Sequence, residues 1–120
     1  METRRDQYME FQRCLSKLLL YAWARDIIVK GNEWWRTFQQ AAENARRKTG
    51  IKNSKHCYSL AVDMYIVGKT GKEVLWGVDK REYALYKILG DYWKGLGMVW
   101  GDDIRKWDVY HFEYCNKPAR

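Results

Sequence analysis

Proline and long apolar runs are almost missing from this sequence. It contains 1 proline and 9 glycines in 120 residues, which excludes collagen-like and proline-rich architectures. The longest apolar runs, residues 18–24 and 27–29, fall well short of the roughly 20 residues that span a bilayer. The first residues also lack an apolar stretch followed by a small-residue cleavage site. We therefore expect neither stable membrane insertion nor a signal peptide.

Cysteine and histidine are also scarce. Cys14, Cys57 and Cys115 are an odd number, and no two of them form a CxxC pair. This spacing argues against a disulfide framework and favours synthesis in a reducing cytoplasm, with the thiols as small buried side chains. His56 and His111 are the only histidines of the chain, so any imidazole chemistry depends on these two side chains.

Aromatic and basic residues, in contrast, are abundant. Hydrophobic residues make up 47% of the chain and aromatic residues 16%, including 7 Trp and 9 Tyr, which excludes intrinsic disorder. A chain of 120 residues can bury one core, so we expect a single domain over residues 1–120 with no second, separate domain. The formal net charge of +7 favours an anionic partner, whether nucleic acid, lipid or a cell-wall polymer.

Hydrophobic periodicity and capping residues predict three helices. Apolar residues recur with helical spacing over residues 4–25. A capping-box pattern opens a second helix over residues 37–50. A third helix begins at Asp79, again with a capping partner three residues later, and ends at Gly95 and Gly97.

Short strands are predicted between and after these helices. The β-branched run at residues 27–29 indicates a strand that ends at Gly31-Asn32, and residues 55–67, with alternating side-chain positions, indicate a strand or a tight hairpin. Further short strands are expected at residues 74–76 and within residues 107–114. Because no βαβ repeat is present, the predicted class is α+β: one compact domain with a small antiparallel sheet and about three helices.

Both histidines lie in segments rich in polar and ionisable residues, 54–63 and 107–113. Two imidazoles and one carboxylate are a common Zn²⁺ ligand set that leaves a position for water, and the ion can lower the pKa of that water to about 7. A second carboxylate must then move protons, and Asp108 is the natural candidate. In a straight strand Asp108 and His111 would point to opposite faces. We therefore predict a turn at residues 108–110 and a strand that starts near His111.

The two histidine segments together resemble the zinc peptidase family of D-alanyl-D-alanine carboxypeptidases and L-alanyl-D-glutamate endopeptidases. The motifs that carry the resemblance are Ser54-x-His56-x6-Asp63 and Asp108-x-x-His111-Phe112-Glu113. Two further stretches are similar to family segments: Trp35-Arg36-Thr37-x-x-Gln40 and Leu96-Gly97-x-x-Trp100-Gly101-Asp102. The resemblance extends over residues 33–114 and departs from the family pattern at Ser59, where the family has glycine.

The resemblance implies a Hedgehog/DD-peptidase-like fold and a role for each matching residue. It implies that His56, Asp63 and His111 bind Zn²⁺ and that Asp108 is the catalytic acid and base. Arg36 would stabilise the developing oxyanion or orient the substrate, and Ser54 would contact the substrate or support a ligand. We interpret Glu113 as a partner of the site or an edge residue rather than as a ligand.

These patterns lead to one principal hypothesis and two alternatives. The principal hypothesis is a monomeric, zinc-dependent peptidoglycan peptidase of phage or prophage origin, an endolysin without a nucleic-acid partner. It would be made in the host cytoplasm, reach the cell wall through a separate permeabilising protein, and hydrolyse the stem peptide. We expect cleavage of the L-alanyl-D-glutamate bond, with D-alanyl-D-alanine carboxypeptidase activity as the variant within the family.

The alternatives belong to different functional classes. A non-enzymatic nucleic-acid-binding module would use the net charge of +7 for phosphate contacts and the aromatic residues for base stacking. Its basic residues are, however, scattered along the chain rather than gathered in one stripe. A cysteine hydrolase would use Cys57 or Cys115 as nucleophile with His111 as its base.

Overall fold

The computed structural model describes residues 3–32 and 60–115, which form three helices and five strands. In chain order these elements are α1 (Arg4–Ala24), β1 (Val29–Asn32), β2 (Ala61–Val67), β3 (Val74–Leu75), α2 (Lys80–Gly95), β4 (Val99–Trp100), α3 (Gly101–Ile104) and β5 (His111–Glu113). The predicted α+β class with a small antiparallel sheet is confirmed. The helix predicted over residues 37–50 lies outside the described residues.

Helix α1 confirms the amphipathic pattern read from residues 4–25. Thr3 and Asp6 form a reciprocal capping box, in which each side chain accepts a hydrogen bond from the other's backbone N–H. One face of the helix is buried, and its members are Phe11, Cys14, Leu15, Leu18 and Ala22. Cys14 is therefore a small buried side chain, as expected for a structural thiol.

Helix α2 begins where the capping residues predict. The Asp79 side chain accepts a hydrogen bond of 2.8 Å from the Glu82 backbone N–H. The chain leaves the helix through Gly97, whose φ of +88° is favourable only for glycine. The buried face of α2 contributes Tyr86, Leu89 and Trp93 to the core.

The central strand of the sheet is β2. It pairs antiparallel with β1 along one edge and with both β5 and β3 along the other, while β4 pairs with the outer edge of β5. The observed β1 ends at Asn32, in agreement with the end predicted at Gly31-Asn32, and Gly31 pairs with Met64 of β2. The strand begins at Val29, so the first two residues of the predicted β-branched run precede it.

Strand β4 and the single-turn helix α3 were not predicted as elements. Strand β4 has only 2 residues, and its pairing partners are Phe112 and Glu113 of β5. A segment this short carries no periodicity of its own, so its conformation depends on the partner strand. Gly90 of α2 allows this arrangement, since a Cβ at that position would lie 2.2 Å from the Trp100 ring.

The core lies between the two long helices and one face of the sheet. Phe11 of α1 packs edge-on against Trp93 of α2, and Trp93 packs in the same way against Phe112 of β5. The inward positions of β2 are Val62, Met64 and Ile66. Their alternation leaves Asp63 and Tyr65 on the opposite face, which is therefore available for polar side chains. Within residues 3–32 and 60–115, no helix is long and apolar enough to cross a membrane.

Candidate metal and active site

Asp63 and His111 lie directly opposite each other on β2 and β5. Residues in register on paired antiparallel strands project from the same face of the sheet. Their side chains meet there, with Oδ1 of Asp63 3.3 Å from Nδ1 of His111. Phe112 points the other way into the core, so burial of its ring fixes the face on which His111 emerges.

Glu113 completes a row of three ionisable side chains on this face. Its Oε1 atom lies 2.7 Å from Nε2 of His111, and both side chains are largely buried. The imidazole is thus held between two carboxylates, one at each ring nitrogen. A carboxylate on the remote nitrogen of a metal-binding histidine orients the ring and selects its tautomer. If Nε2–H donates to Glu113, the Nδ1 lone pair faces Asp63.

In this arrangement a positive charge is needed between Nδ1 of His111 and Oδ1 of Asp63. A neutral Nδ1 and a carboxylate are both hydrogen-bond acceptors, so their contact requires a proton or a cation between them. Burial disfavours the imidazolium, but the hydrogen bonds to Asp63 and Glu113 and the charges of both carboxylates outweigh burial and raise the pKa of His111 to about 9.

The donor separation fits a zinc ion. Two ligands of a tetrahedral Zn²⁺ with bonds of about 2.0–2.1 Å lie about 3.3–3.4 Å apart, close to the 3.3 Å between Asp63 and His111. Within the described part of the chain, no group of three His, Cys, Asp or Glu side chains could hold a metal ion. His56, the third ligand implied by the sequence motif, lies outside the described residues.

Asp108 lies in the turn that precedes β5. Its backbone N–H donates to the Arg105 carbonyl, and residues 109–110 continue the turn into His111. The turn predicted at residues 108–110 is therefore present. Partial burial raises the pKa of the Asp108 carboxyl, and the negative charge of Asp63 adds to this rise, while His111 opposes it. A carboxyl that holds its proton more readily than usual suits acid and base chemistry.

Gly101 allows the close packing of this turn. A Cβ at position 101 would lie 2.5 Å from the Asp108 carbonyl oxygen and 2.6 Å from Cβ of His111. The start of α3 thus packs directly against the segment that carries the predicted base and the predicted ligand. The sequence predicted no role for Gly101 beyond its place in a motif, because the contact joins residues that only tertiary packing brings together.

An aromatic cluster beside the site was also missed. Tyr65, Trp76 and Tyr110 contact one another with ring centroids 4.8–6.1 Å apart. Tyr65 lies two residues after Asp63 on β2 and so shares its face of the sheet. The alternation of residues 60–67 indicated this face, but nothing local indicated that Trp76 and Tyr110 would join it.

Several predicted site residues cannot be placed against this geometry. Arg36 and Ser54 lie outside the described residues, as does Cys57. Cys115 is a buried free thiol at the end of the described chain. The structure therefore brings together Asp63, His111 and Glu113 with the Asp108 turn, and it leaves the roles of the other candidates as predictions.

Comparison with known proteins adds an independent observation. A family model described as D-alanyl-D-alanine carboxypeptidase matches residues 47–114. The matched segment contains His56, Asp63, Asp108 and His111. A search of curated proteins finds no match.

Proposed function

The chain belongs to the D-alanyl-D-alanine carboxypeptidase family, whose model covers more than half of its length, and we propose that it is a zinc-dependent endopeptidase that cleaves the L-alanyl-D-glutamate bond of peptidoglycan. Family membership places it among the peptidases that act on peptidoglycan. The observation that carries the zinc dependence is the pairing of Asp63 with His111, because their donor atoms have the separation that two zinc ligands require.

The proposed metal ligands are His56, Asp63 and His111. These residues would hold a Zn²⁺ ion, which would supply Lewis-acid polarisation of the scissile carbonyl and lower the pKa of a water. Glu113 orients the His111 ring by accepting a hydrogen bond at Nε2, which directs Nδ1 towards Asp63.

Asp108 performs the proton transfers in this proposal. Its carboxylate accepts a proton from the attacking water and delivers it to the amine that leaves. The turn at residues 105–110 holds it near the Asp63–His111 pair without making it part of the pair. Arg36 stabilises the oxyanion or orients the substrate, and Ser54 contacts the substrate or supports a ligand.

The biological setting follows from the same proposal. A net charge of +7 favours approach to anionic envelope polymers. We assign the protein to a phage or prophage, as a monomeric endolysin made in the host cytoplasm and released to the wall by a separate permeabilising protein.

A second candidate reaction is removal of the terminal D-alanine. The description of the matching family model names this activity, and the same metal and acid–base residues would serve it. Mass spectrometry of digested peptidoglycan separates the two reactions. New amino-terminal D-glutamate on released peptides, with L-alanine left on intact glycan strands, supports the endopeptidase, whereas released D-alanine supports the carboxypeptidase.

Metal analysis tests the catalytic class. The purified protein should contain about one zinc per chain, lose hydrolysis in 1,10-phenanthroline and regain it on addition of Zn²⁺. Hydrolysis that persists without metal, or new reducing sugar ends in the digest, would contradict a zinc peptidase.

A further inference from the structure

A groove whose described lining residues are all uncharged opens directly beside the Asp108 turn. It encloses about 270 Å³ and is lined by Trp76, Gly77, Val78, Trp107, Val109 and Tyr110. Trp107 and Val109 are the two chain neighbours of Asp108, so the groove begins where the proposed acid and base is held. A substrate bound at the site would therefore extend into this groove or pass its mouth.

The walls of the groove are fixed by buried contacts. The Tyr110 hydroxyl donates to the Trp76 carbonyl, and the Tyr110 ring packs edge-on against buried Tyr86. The Val109 carbonyl accepts a hydrogen bond of 2.9 Å from the buried Trp100 indole. Gly77 has a φ of +78° and lies against Tyr86, where a side chain would be strained. The groove is thus preformed rather than dependent on a ligand.

Two tryptophans present their rings at the groove in partly exposed positions. Trp76 is 54% exposed and Trp107 is 60% exposed. Aromatic rings left in water beside a catalytic site are typical of binding surfaces, because they bury a large area with little loss of conformational freedom. The rings therefore indicate a ligand with an apolar face.

The uncharged side chains of the described lining favour a neutral part of peptidoglycan as the ligand. None of the lining residues that the structure describes is charged, so they offer no counter-ion for the carboxylates or amines of the stem peptide. The N-acetylated sugars of the glycan are neutral where they carry a stem peptide, and each pyranose ring has a face of C–H groups that stacks on indole. Resting on the proposed peptidase function, we propose that this groove binds a saccharide ring of the glycan strand beside the bond that is cleaved.

The distance from the sugar to each candidate bond of the stem peptide indicates which bond lies near a saccharide bound in this groove. The sugar is joined to L-alanine, so the L-alanyl-D-glutamate bond lies one residue from it, about 3.3–3.6 Å of extended chain. The D-alanyl-D-alanine bond lies three residues further, about 10 Å more. A saccharide site that borders Asp108 therefore matches cleavage of the first bond.

The test compares two substrates that differ only in the glycan. Wild-type enzyme should cleave the disaccharide-linked stem peptide with a higher kcat/KM than the free stem peptide. Trp76→Ala should lower kcat/KM for the disaccharide-linked substrate by about 5- to 10-fold, mainly through KM, which is the effect of one lost aromatic stack. The same variant should change kcat/KM for the free stem peptide by less than about twofold.

The matched control is Trp23→Ala. Trp23 is 69% exposed at the end of α1 and does not line the groove, so this variant should match wild type on both substrates. An equal loss on both substrates in Trp76→Ala, or a wild-type enzyme indifferent to the glycan, overturns the saccharide site.

A binding measurement separates this proposal from the proposed function. Addition of the free disaccharide should shift the indole N–H resonances of Trp76 and Trp107 but not that of Trp23. If the protein hydrolyses neither substrate while these two resonances shift, the peptidase function fails and the saccharide site stands. If hydrolysis occurs and no resonance shifts at millimolar disaccharide, the saccharide site fails alone.

An independent observation concerns the residue before Asp108. Trp107 has a φ of +74°, in the left-handed region that side chains other than glycine, asparagine and aspartate rarely adopt. The Asp102 carboxylate accepts hydrogen bonds from the Trp107 backbone N–H at 2.7 Å and from the Tyr83 hydroxyl at 2.6 Å. The Tyr83 ring also packs edge-on against Trp107.

We infer that Asp102 is a positioning residue, which holds Trp107 in this conformation and thereby directs Asp108 towards the site. On the free stem peptide, Asp102→Ala should lower kcat by about tenfold with little change in KM, because binding precedes the proton transfers. Zinc content should remain that of wild type. Unchanged kcat would overturn the assignment.

A second substitution tests the mechanism rather than the fold. Asparagine tolerates the left-handed region, so Trp107→Asn should restore most of the kcat lost in Asp102→Ala. A double variant no better than Asp102→Ala contradicts positioning through Trp107.

Discussion

Asp63 on β2 and His111 on β5 are register partners whose carboxylate and imidazole meet at 3.3 Å. They are 48 positions apart in the chain, with β3, α2, β4 and α3 between them, so their meeting depends on the pairing of β2 with β5. With Glu113 on the other ring nitrogen, His111 has one defined orientation. The predictions below follow from this pair and its neighbours.

Removal of any proposed ligand should remove the metal. His56→Ala, Asp63→Ala and His111→Ala should each lose tightly bound zinc and hydrolysis together, because a site of three protein ligands does not retain the ion with two. Zinc per chain and turnover are measured on the same samples. Asp103→Ala is the control, since this exposed carboxylate pairs with Lys94 away from the site. A variant that keeps one zinc and normal turnover would remove its residue from the ligand set.

Glu113 should tune metal affinity without binding the metal. Glu113→Ala should weaken zinc binding by about 10- to 100-fold, because His111 loses the acceptor that orients its ring. Glu113→Gln should lose much less zinc affinity, since its amide oxygen can still accept a hydrogen bond from Nε2–H of His111. Competition with a chromogenic chelator measures both affinities. Equal zinc affinity in wild type and Glu113→Ala would show that the contact has no role in metal binding.

Asp108 should be needed for turnover but not for metal binding. Asp108→Ala and Asp108→Asn should keep zinc and lose turnover by about 10²-fold or more, in line with loss of a general acid and base. Arg36→Ala should also keep zinc while turnover falls. The asparagine variant separates catalysis from turn formation, because asparagine supports the same turn. Wild-type turnover in Asp108→Asn would exclude Asp108 from the mechanism.

Gly101 should tolerate no side chain. Gly101→Ala should destabilise the fold by about 1–3 kcal/mol, since the added Cβ meets the Asp108 carbonyl oxygen and His111 at 2.5–2.6 Å. Hydrolysis should fall because both neighbours must move. Gly95→Ala is the matched control: a Cβ there meets nothing within 4 Å. Chemical denaturation compares the two, and equal stability of both variants would contradict the contact.

The metal-free protein should lose stability as the pH rises through neutrality. The pKa of His111 is raised from 6.5 to about 9 in the fold. A raised folded-state pKa contributes stability that is complete below the unfolded value and lost as pH passes the folded value. Thermal unfolding in a chelator should therefore show a decline between pH 6.5 and 9, on the order of 2–3 kcal/mol. Asp63→Asn should reduce this loss of stability with rising pH. A wild-type protein whose stability does not fall over this pH range would contradict an ion pair between Asp63 and His111.

Local signals in the sequence were sufficient for the long elements. The apolar stripe of residues 4–25 and the capping residues Asp79 and Glu82 predicted α1 and the start of α2 correctly, because helix hydrogen bonds and caps form between near neighbours. The alternation in residues 60–67 likewise predicted which side chains of β2 enter the core. These features are encoded by residues within a few positions of each other.

The site was predicted only in part. The sequence motifs identified Asp63, Asp108, His111 and Glu113. Because a straight strand would place Asp108 and His111 on opposite faces, the sequence also predicted the turn before His111. Nothing local indicated that Gly101 would lie against His111 or that Asp102 would hold Trp107. Each of these contacts depends on how α3 and the following turn fold back onto β5.

By itself, then, the sequence determined the two long helices α1 and α2, the buried face of β2 and the identity of the ionisable residues. Only the tertiary structure decided that β2 pairs with β5 in the register that joins Asp63 to His111. The physical reason is that register depends on burying Val62 and Phe112 together, which is a relation between distant strands. The same pairing places Glu113 beside His111 and the Asp108 turn at the edge of the aromatic groove, so the surroundings of the site follow from packing rather than from any motif.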